Sequence, residues 1–207
     1  MPKGSPELTN ARKEEIISAC KTLYKDMSFK DITIMKIAES TSFSRASIYN
    51  YFETKEEIFL AILQKEYELW VDDLNEISNR HESMTKDEIA DALAASLEKR
   101  TLLLKLMSMN LYDMEENSRE ERLVEFKVAY GSSLKAVDNL LQKFCPDMDD
   151  TARREFLYSF FPFIYGIYPY TVVTEKQKAA MDQANVGYTY YSIHDLAYIC
   201  AKKLLEG

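Results

Sequence analysis

Glycine and proline are scarce, with five of each in 207 residues, and neither occurs from Glu7 to Ala129. Hairpins need such residues, or Asn-Gly pairs, at their turns. That stretch therefore excludes a sheet protein and suits helices joined by polar residues and side-chain caps. Cysteine is scarce as well. Cys20, Cys145 and Cys200 are odd in number, far apart and set among apolar neighbours, so a disulfide framework is excluded and reduced, buried thiols are expected. The two histidines, His81 and His194, are isolated in the sequence. They show no metal-ligand spacing with cysteine or carboxylate, so structural or surface roles are expected, with no metal and no cofactor. Apolar runs such as Phe160–Tyr165 are too short to span a membrane. The N-terminus lacks the apolar core and cleavage site of a secretory signal, and a soluble, cytoplasmic protein is expected. No Ser/His/Asp or Cys/His grouping follows from spacing, so nothing points to an enzyme.

What is present is acid and apolar surface. The chain carries 26 basic and 34 acidic residues, a net charge of −8, and 46% hydrophobic residues. Such apolar content excludes intrinsic disorder. The net acidity argues at first against nucleic acid as a partner. Its distribution reverses that argument. Residues 1–60 hold nine of the 26 basic and nine of the 34 acidic residues, so the whole excess lies beyond them.

Periodicity divides the first part into three helices. After a flexible lead at Met1–Pro6, Ile16, Ile17, Cys20, Leu23, Tyr24 and Met27 form one apolar stripe of a helix over 9–27. Thr33 caps a short helix over 33–40, and Ser44 caps another over 44–51. With a tight turn at Thr41–Phe43, this is the layout of a helix-turn-helix unit, whose last helix enters the major groove. Ile37, Ala38, Phe43, Ile48 and Phe52 would form its core. Arg45, Ala46, Ser47, Tyr49 and Asn50 would face outward. Arginine can donate to guanine, alanine can touch a thymine methyl, and serine and asparagine are short hydrogen-bonding groups. Thr33 and Lys55 stand at helix N-termini, where backbone N–H groups suit phosphate. Tyr49 and Tyr51 bracket the inner anchors Ile48 and Phe52, which predicts outward positions for both.

The run Ile37-Ala38-Glu39, followed by Phe43-Ser44-Arg45-Ala46-Ser47-Ile48-Tyr49-Asn50-Tyr51-Phe52-Glu53-Thr54-Lys55-Glu56, resembles the DNA-binding domain of the TetR family of transcriptional regulators. The resemblance covers roughly residues 9–60. It implies base contacts from Arg45, Ala46, Ser47 and Tyr49, phosphate contacts from Thr33, Tyr51 and Lys55, and places Met35 and Lys36 near the groove. The family commonly has Ala-Gly in the turn, where this chain has Thr41-Ser42. A serine held at positive φ there would cost about 1 kcal/mol.

Thr54, Thr85 and Ser118, each followed three residues later by glutamate, predict capping boxes for three further helices. Another apolar helix is expected over Leu102–Leu111. Asp147, Asp149 and Asp150 bias the start of the next helix. The segment Thr151–Val173 is apolar all round and needs cover on every side, with Pro162 and Pro169 as local disturbances. Thr174 and Ser192 cap the last two helices. The expected fold is all-α, with a helix-turn-helix domain over 1–53 and a helical regulatory and dimerisation domain over 54–207. By the resemblance, the second domain binds a small molecule and pairs two copies. The Thr151–Val173 and Ser192–Leu205 helices would form a four-helix interface. Trp70, Met107, Phe126, Tyr130, Phe160, Phe163 and Ile164 are candidates to line a pocket for a small apolar or aromatic ligand.

The resulting expectation is a ligand-responsive repressor that binds a palindromic operator in double-stranded DNA as a homodimer. Two alternatives stay open. One keeps the DNA-binding unit but makes the second domain a protein-interaction module without an inducer. The other is a helical enzyme or carrier that would show no retention on DNA at low salt.

Overall fold

The computed structural model describes residues 5–109 and 111–207. Most of the expected lead at Met1–Pro6 therefore lies outside the described residues. Ser5 is already an N-cap and Pro6 is already helical, as proline is at a first helical position. Among the described residues the chain is all-α, with eleven helices. They are α1 (Pro6–Asp26), α2 (Ile34–Glu39), α3 (Arg45–Ile48), α4 (Lys55–Arg80), α5 (Lys86–Lys99), α6 (Thr101–Met107), α7 (Leu111–Glu116), α8 (Glu120–Phe144), α9 (Asp150–Thr171), α10 (Glu175–Gln183) and α11 (Ile193–Glu206). No single described helix is long and apolar enough to cross a membrane.

The described residues form two compact units. The first comprises 5–65 and 111–129, and the second comprises Glu66–Met109 and Tyr130–Gly207. This differs from a linear cut at 53/54: the start of α4, all of α7 and the start of α8 belong with the helix-turn-helix residues. In the first unit Ile16, Cys20, Ile37, Ile48, Phe52, Ile58 and Phe59 are buried. Phe59 takes the edges of Tyr24 and Phe29 at 5.0 and 4.7 Å. Burial pushes the Cys20 thiol up to about 12, so it is an inert core residue. In the second unit α11 packs on α5 and α9, and α9 packs on α6.

Most caps form where the spacing places them. Thr85, Thr174 and Ser192 close full capping boxes with Glu88, Gln177 and Asp195, and Asp149 caps α9. Three expectations are corrected. At Thr54 only half a box forms, because its hydroxyl accepts the Glu57 N–H but the Glu57 carboxylate takes the Glu53 N–H. The helix expected over Leu102–Leu111 is divided: α6 ends at Met107 and Leu111 opens α7. The box expected at Ser118 does not form. The Ser118 hydroxyl donates to the Met114 carbonyl, and the Glu57 carboxylate accepts the Arg119 N–H at the start of α8. The α9 segment is apolar in composition, yet Tyr158 and Tyr170 on it are exposed and only one side is buried within the chain. Pro162 and Pro169 lie inside α9 without ending it.

Candidate nucleic-acid interface

The first unit builds a short helix with a polar outer face. The Ser44 hydroxyl accepts the Ser47 N–H at 3.2 Å and lies 3.0 Å from the Ser47 hydroxyl, which starts α3. Ile48 points into the core. Regular helix lasts only from Arg45 to Ile48, shorter than the expected 44–51, and Tyr49, Asn50 and Tyr51 form turns. Arg45, Ala46, Tyr49 and Asn50 are exposed and Ser47 is half-exposed, as a base-reading face requires. The Arg45 guanidinium donates to the Tyr49 hydroxyl at 3.1 Å and lies over its ring. The two side chains thus hold each other extended along one face.

The turn before α3 is fastened without glycine. Among the described residues Asn185 is the one non-glycine at positive φ, so Thr41 and Ser42 avoid the strain expected of them. Thr41 donates its hydroxyl proton to the Ala38 carbonyl and accepts the Phe43 N–H. The Ser42 N–H is taken by the Glu15 carboxylate of α1 at 2.7 Å. That bond holds the Glu15 carboxyl below the usual carboxylate range. Side-chain acceptors do here what a left-handed glycine does elsewhere.

The expected phosphate contacts fare unevenly. Thr33 is exposed and accepts the Lys36 N–H as the α2 cap. The Lys36 ammonium donates to the Asp31 carbonyl. Lys55 is half-buried, with its ammonium 4.1 Å from the centre of the Phe29 ring and bonded to the Phe29 and Ile32 carbonyls at 2.9 and 3.3 Å. Both lysines thus tie down the loop before α2, although an ammonium keeps a third donor after two bonds. The outward position expected of Tyr51 is corrected. Its side chain is only 4% exposed, and its hydroxyl accepts from Arg12 at 3.1 Å. The chain leaves regular helix at Tyr49, so outer and inner faces no longer follow α3's spacing there.

The proposed pocket residues also separate. Phe126 belongs to the first unit, whereas Trp70, Met107, Tyr130, Phe160, Phe163 and Ile164 belong to the second. There Tyr130 sits edge-on to Tyr67 at 5.7 Å and to Phe161 at 5.9 Å, and Trp70 lies 5.8 Å from Phe161. The Trp70 indole N–H donates to the Ser96 hydroxyl. Tyr67 and Tyr165 share a hydroxyl bond of 2.9 Å, and burial pushes the Tyr67 phenol well above its usual value. Met107, Phe160 and Ile164 are buried and Phe163 is half-buried. The histidines, isolated in sequence, come together: both line a cavity of about 620 Å³ with Asp87, Asp91 and Tyr198. There His194 Nε2 lies 3.0 Å from Asp91. Among the described residues no group of three or more His, Cys, Asp or Glu is arranged to hold a metal ion.

Residues 16–62 match the family described as bacterial regulatory proteins, tetR family, and residues 64–196 match the tetracyclin repressor-like C-terminal domain. The chain belongs to the tetR family. An uncharacterized HTH-type transcriptional regulator, YfiR of Bacillus subtilis (strain 168), is 36% identical over 63 residues. That match spans 30% of this chain and 31% of the relative. The fatty acid degradation regulator FadR from Bacillus halodurans superposes with a TM-score of 0.61 at 17% identity, over 100% of this chain and 98% of its own. The transcriptional regulator FadR from Bacillus subtilis, solved in complex with stearoyl-CoA, gives 0.61 at 16% identity, over 94% and 98%. At these identities the structural likeness is one of fold.

Glu15 at the turn, Tyr67 and Tyr165 in the second unit, and Arg119 carry no mark of their contacts in the sequence. Glu15 lies on the helix of the apolar stripe but off the stripe, and nothing local marks it. Arg119 sits inside the box expected at Ser118, where local spacing drew attention to the wrong residue.

Proposed function

We propose that this tetR-family chain is a repressor that binds a palindromic operator as a homodimer and releases it when a small apolar or aromatic ligand occupies its second unit. The observation that carries this reading is the outer face of α3. Arg45 and Ala46, with Ser47 in part, face solvent on a helix whose Ile48 is fully buried, and Tyr49 and Asn50 are exposed in the turn that follows. Arg45 donates to guanine, and the short side chains beside it let the helix approach the base edges. Thr33, Lys36 and Lys55 take phosphates from helix and loop ends, while the buried Tyr51 supports that face through its bond from Arg12.

The homodimer reading is supported by α9, an apolar helix with exposed Tyr158 and Tyr170, and by exposed Ile199 on α11. A two-fold pairing of those faces covers them and repeats the reading helix about 34 Å away, one turn of DNA. The ligand reading is supported by the aromatic cluster of Tyr67, Trp70, Tyr130, Phe161 and Tyr165, and by the acyl thioester held in the solved Bacillus subtilis FadR. A ligand that favours the form less suited to DNA weakens operator binding by the same factor that DNA weakens ligand binding. The protein acts in the cytoplasm, where its operator is.

Selection of duplexes from a random pool tests the reading. Enrichment of a palindrome, bound with steep salt dependence, is expected. No enriched sequence and no DNA retention at low salt would overturn it. Long-chain acyl thioesters and aromatic acids that raise the melting temperature should release the selected duplex.

A further inference from the structure

Resting on that DNA-binding reading, we infer that Arg119 is a positioning residue for the reading helix, holding the end of the helix-turn-helix through the buried carboxylate of Glu57. Tyr51 carries the chain out of α3, and its N–H still donates to the Ile48 carbonyl at 2.8 Å. Its carbonyl accepts from Arg119 Nη2 at 3.2 Å, and its hydroxyl accepts from Arg12 of α1. Tyr51 is thereby pinned at both ends, by residues 39 and 68 positions away.

Glu57 completes the clamp. It is 0% exposed and accepts the Glu53 N–H at 2.8 Å, the Arg119 N–H at 3.1 Å, and Arg119 Nε and Nη2 at 2.6 and 2.8 Å. The Thr54 hydroxyl donates to the Asn117 carbonyl at 2.9 Å. The Arg122 guanidinium lies over Phe52, its Nε buried without a hydrogen bond. The Glu53 carboxylate lies 3.5 Å from Arg119 Nη1, so each residue from Tyr51 to Thr54, with Glu57, meets a residue of 117–122. The planar fork of arginine satisfies both carboxylate oxygens and the Tyr51 carbonyl together, which an ammonium cannot do in that geometry. The orientation of α3 depends on where α8 begins.

Operator discrimination separates positioning from plain stabilisation. The probe is the duplex that wild-type protein selects from a random pool, compared with a scrambled duplex, well below each variant's melting temperature. Arg119→Gln should lose about tenfold or more of the operator-to-scrambled affinity ratio, one base contact's worth of discrimination, with scrambled binding unchanged. Arg119→Lys should recover part of the ratio, and Glu57→Gln, read in the same way should Arg119→Gln fail to fold, should lower it. A folded Arg119→Gln or Glu57→Gln variant with a ratio within about twofold of wild type would overturn the inference, even with a lowered melting temperature. A wild type that cannot tell the duplexes apart would overturn the DNA reading and this inference with it.

Discussion

The four residues of α3 and the 22 of α9 are held in place by opposite means. A helix as short as α3 has no stability of its own, because nucleation is costly and few bonds follow it. It persists through Ile48 in the core, the Ser44 cap, the Glu15 bond to the turn and the Arg119 bond beyond its end. In α9, Phe156, Phe160, Phe161, Ile164 and Ile167 are buried together, and area rather than direction holds it. The contrast is between a short helix held by direction and a long one held by area. Directional bonds fix the outer face of α3 through a few named partners, while α9 is held by buried aromatic and aliphatic area.

Four measurements break or sharpen that comparison. The largest effect is expected in the aromatic unit. Trp70→Ala removes a fully buried indole and its bond to Ser96 and should cost about 3–5 kcal/mol in denaturant unfolding. A loss below about 1 kcal/mol would mean that this cluster is not packed as described.

Next comes the clamp. Glu57→Gln should cost about 2 kcal/mol near neutral pH, the worth of hydrogen bonds to a charged group. Burial opposes ionisation of Glu57, but the bonds from Arg119 and from backbone N–H groups outweigh it and hold the carboxyl below the usual glutamate range. A depressed folded value gives stability that is present above the unfolded value of about 4.3 and is lost as pH falls through the folded one. Melting curves of wild type and Glu57→Gln should therefore converge on acidification below about pH 4. A gap that stays constant to pH 2 would contradict the charge assignment.

Arg45→Ala should leave stability unchanged, cost about 1–3 kcal/mol of operator binding and relax base preference at one position. Unchanged affinity and preference would remove Arg45 from the reading face. Ser44→Ala should have the smallest effect of the four, about 1 kcal/mol of stability for a lost cap. If α3 depends on its fasteners, operator affinity should fall with it. Equal operator binding would show that Ile48 burial alone suffices.

The pattern behind these results also decides what could be read in advance. Helical class and the caps at Ser44, Thr85, Thr174 and Ser192 follow from spacings of three and four residues, which any helix imposes on its own chain. The outward placement of Arg45 and Ala46 follows from the same periodicity and from the likeness to a known DNA-binding domain. The inward turn of Tyr51, the commitment of Lys55 to the Phe29 and Ile32 carbonyls, and the failure of the Ser118 box had no such signal. Each depends on a partner far along the chain, 23 to 68 residues away. Phe126 and Tyr130, one helical turn apart on α8, fall in different units.

Charge divides in the same way. The sequence alone determined an all-helical chain whose acidity lies outside its neutral first 60 residues, because composition and period are local properties that survive any arrangement of the helices. Only the tertiary structure decided which of the first unit's charges are free to meet DNA. Glu57 is spent inside it and Lys55 gives two of its three donors to backbone carbonyls, while Arg45 stays at the surface. A charge is neutralised by whatever folding brings within hydrogen-bond reach, and distance along the chain does not limit that reach.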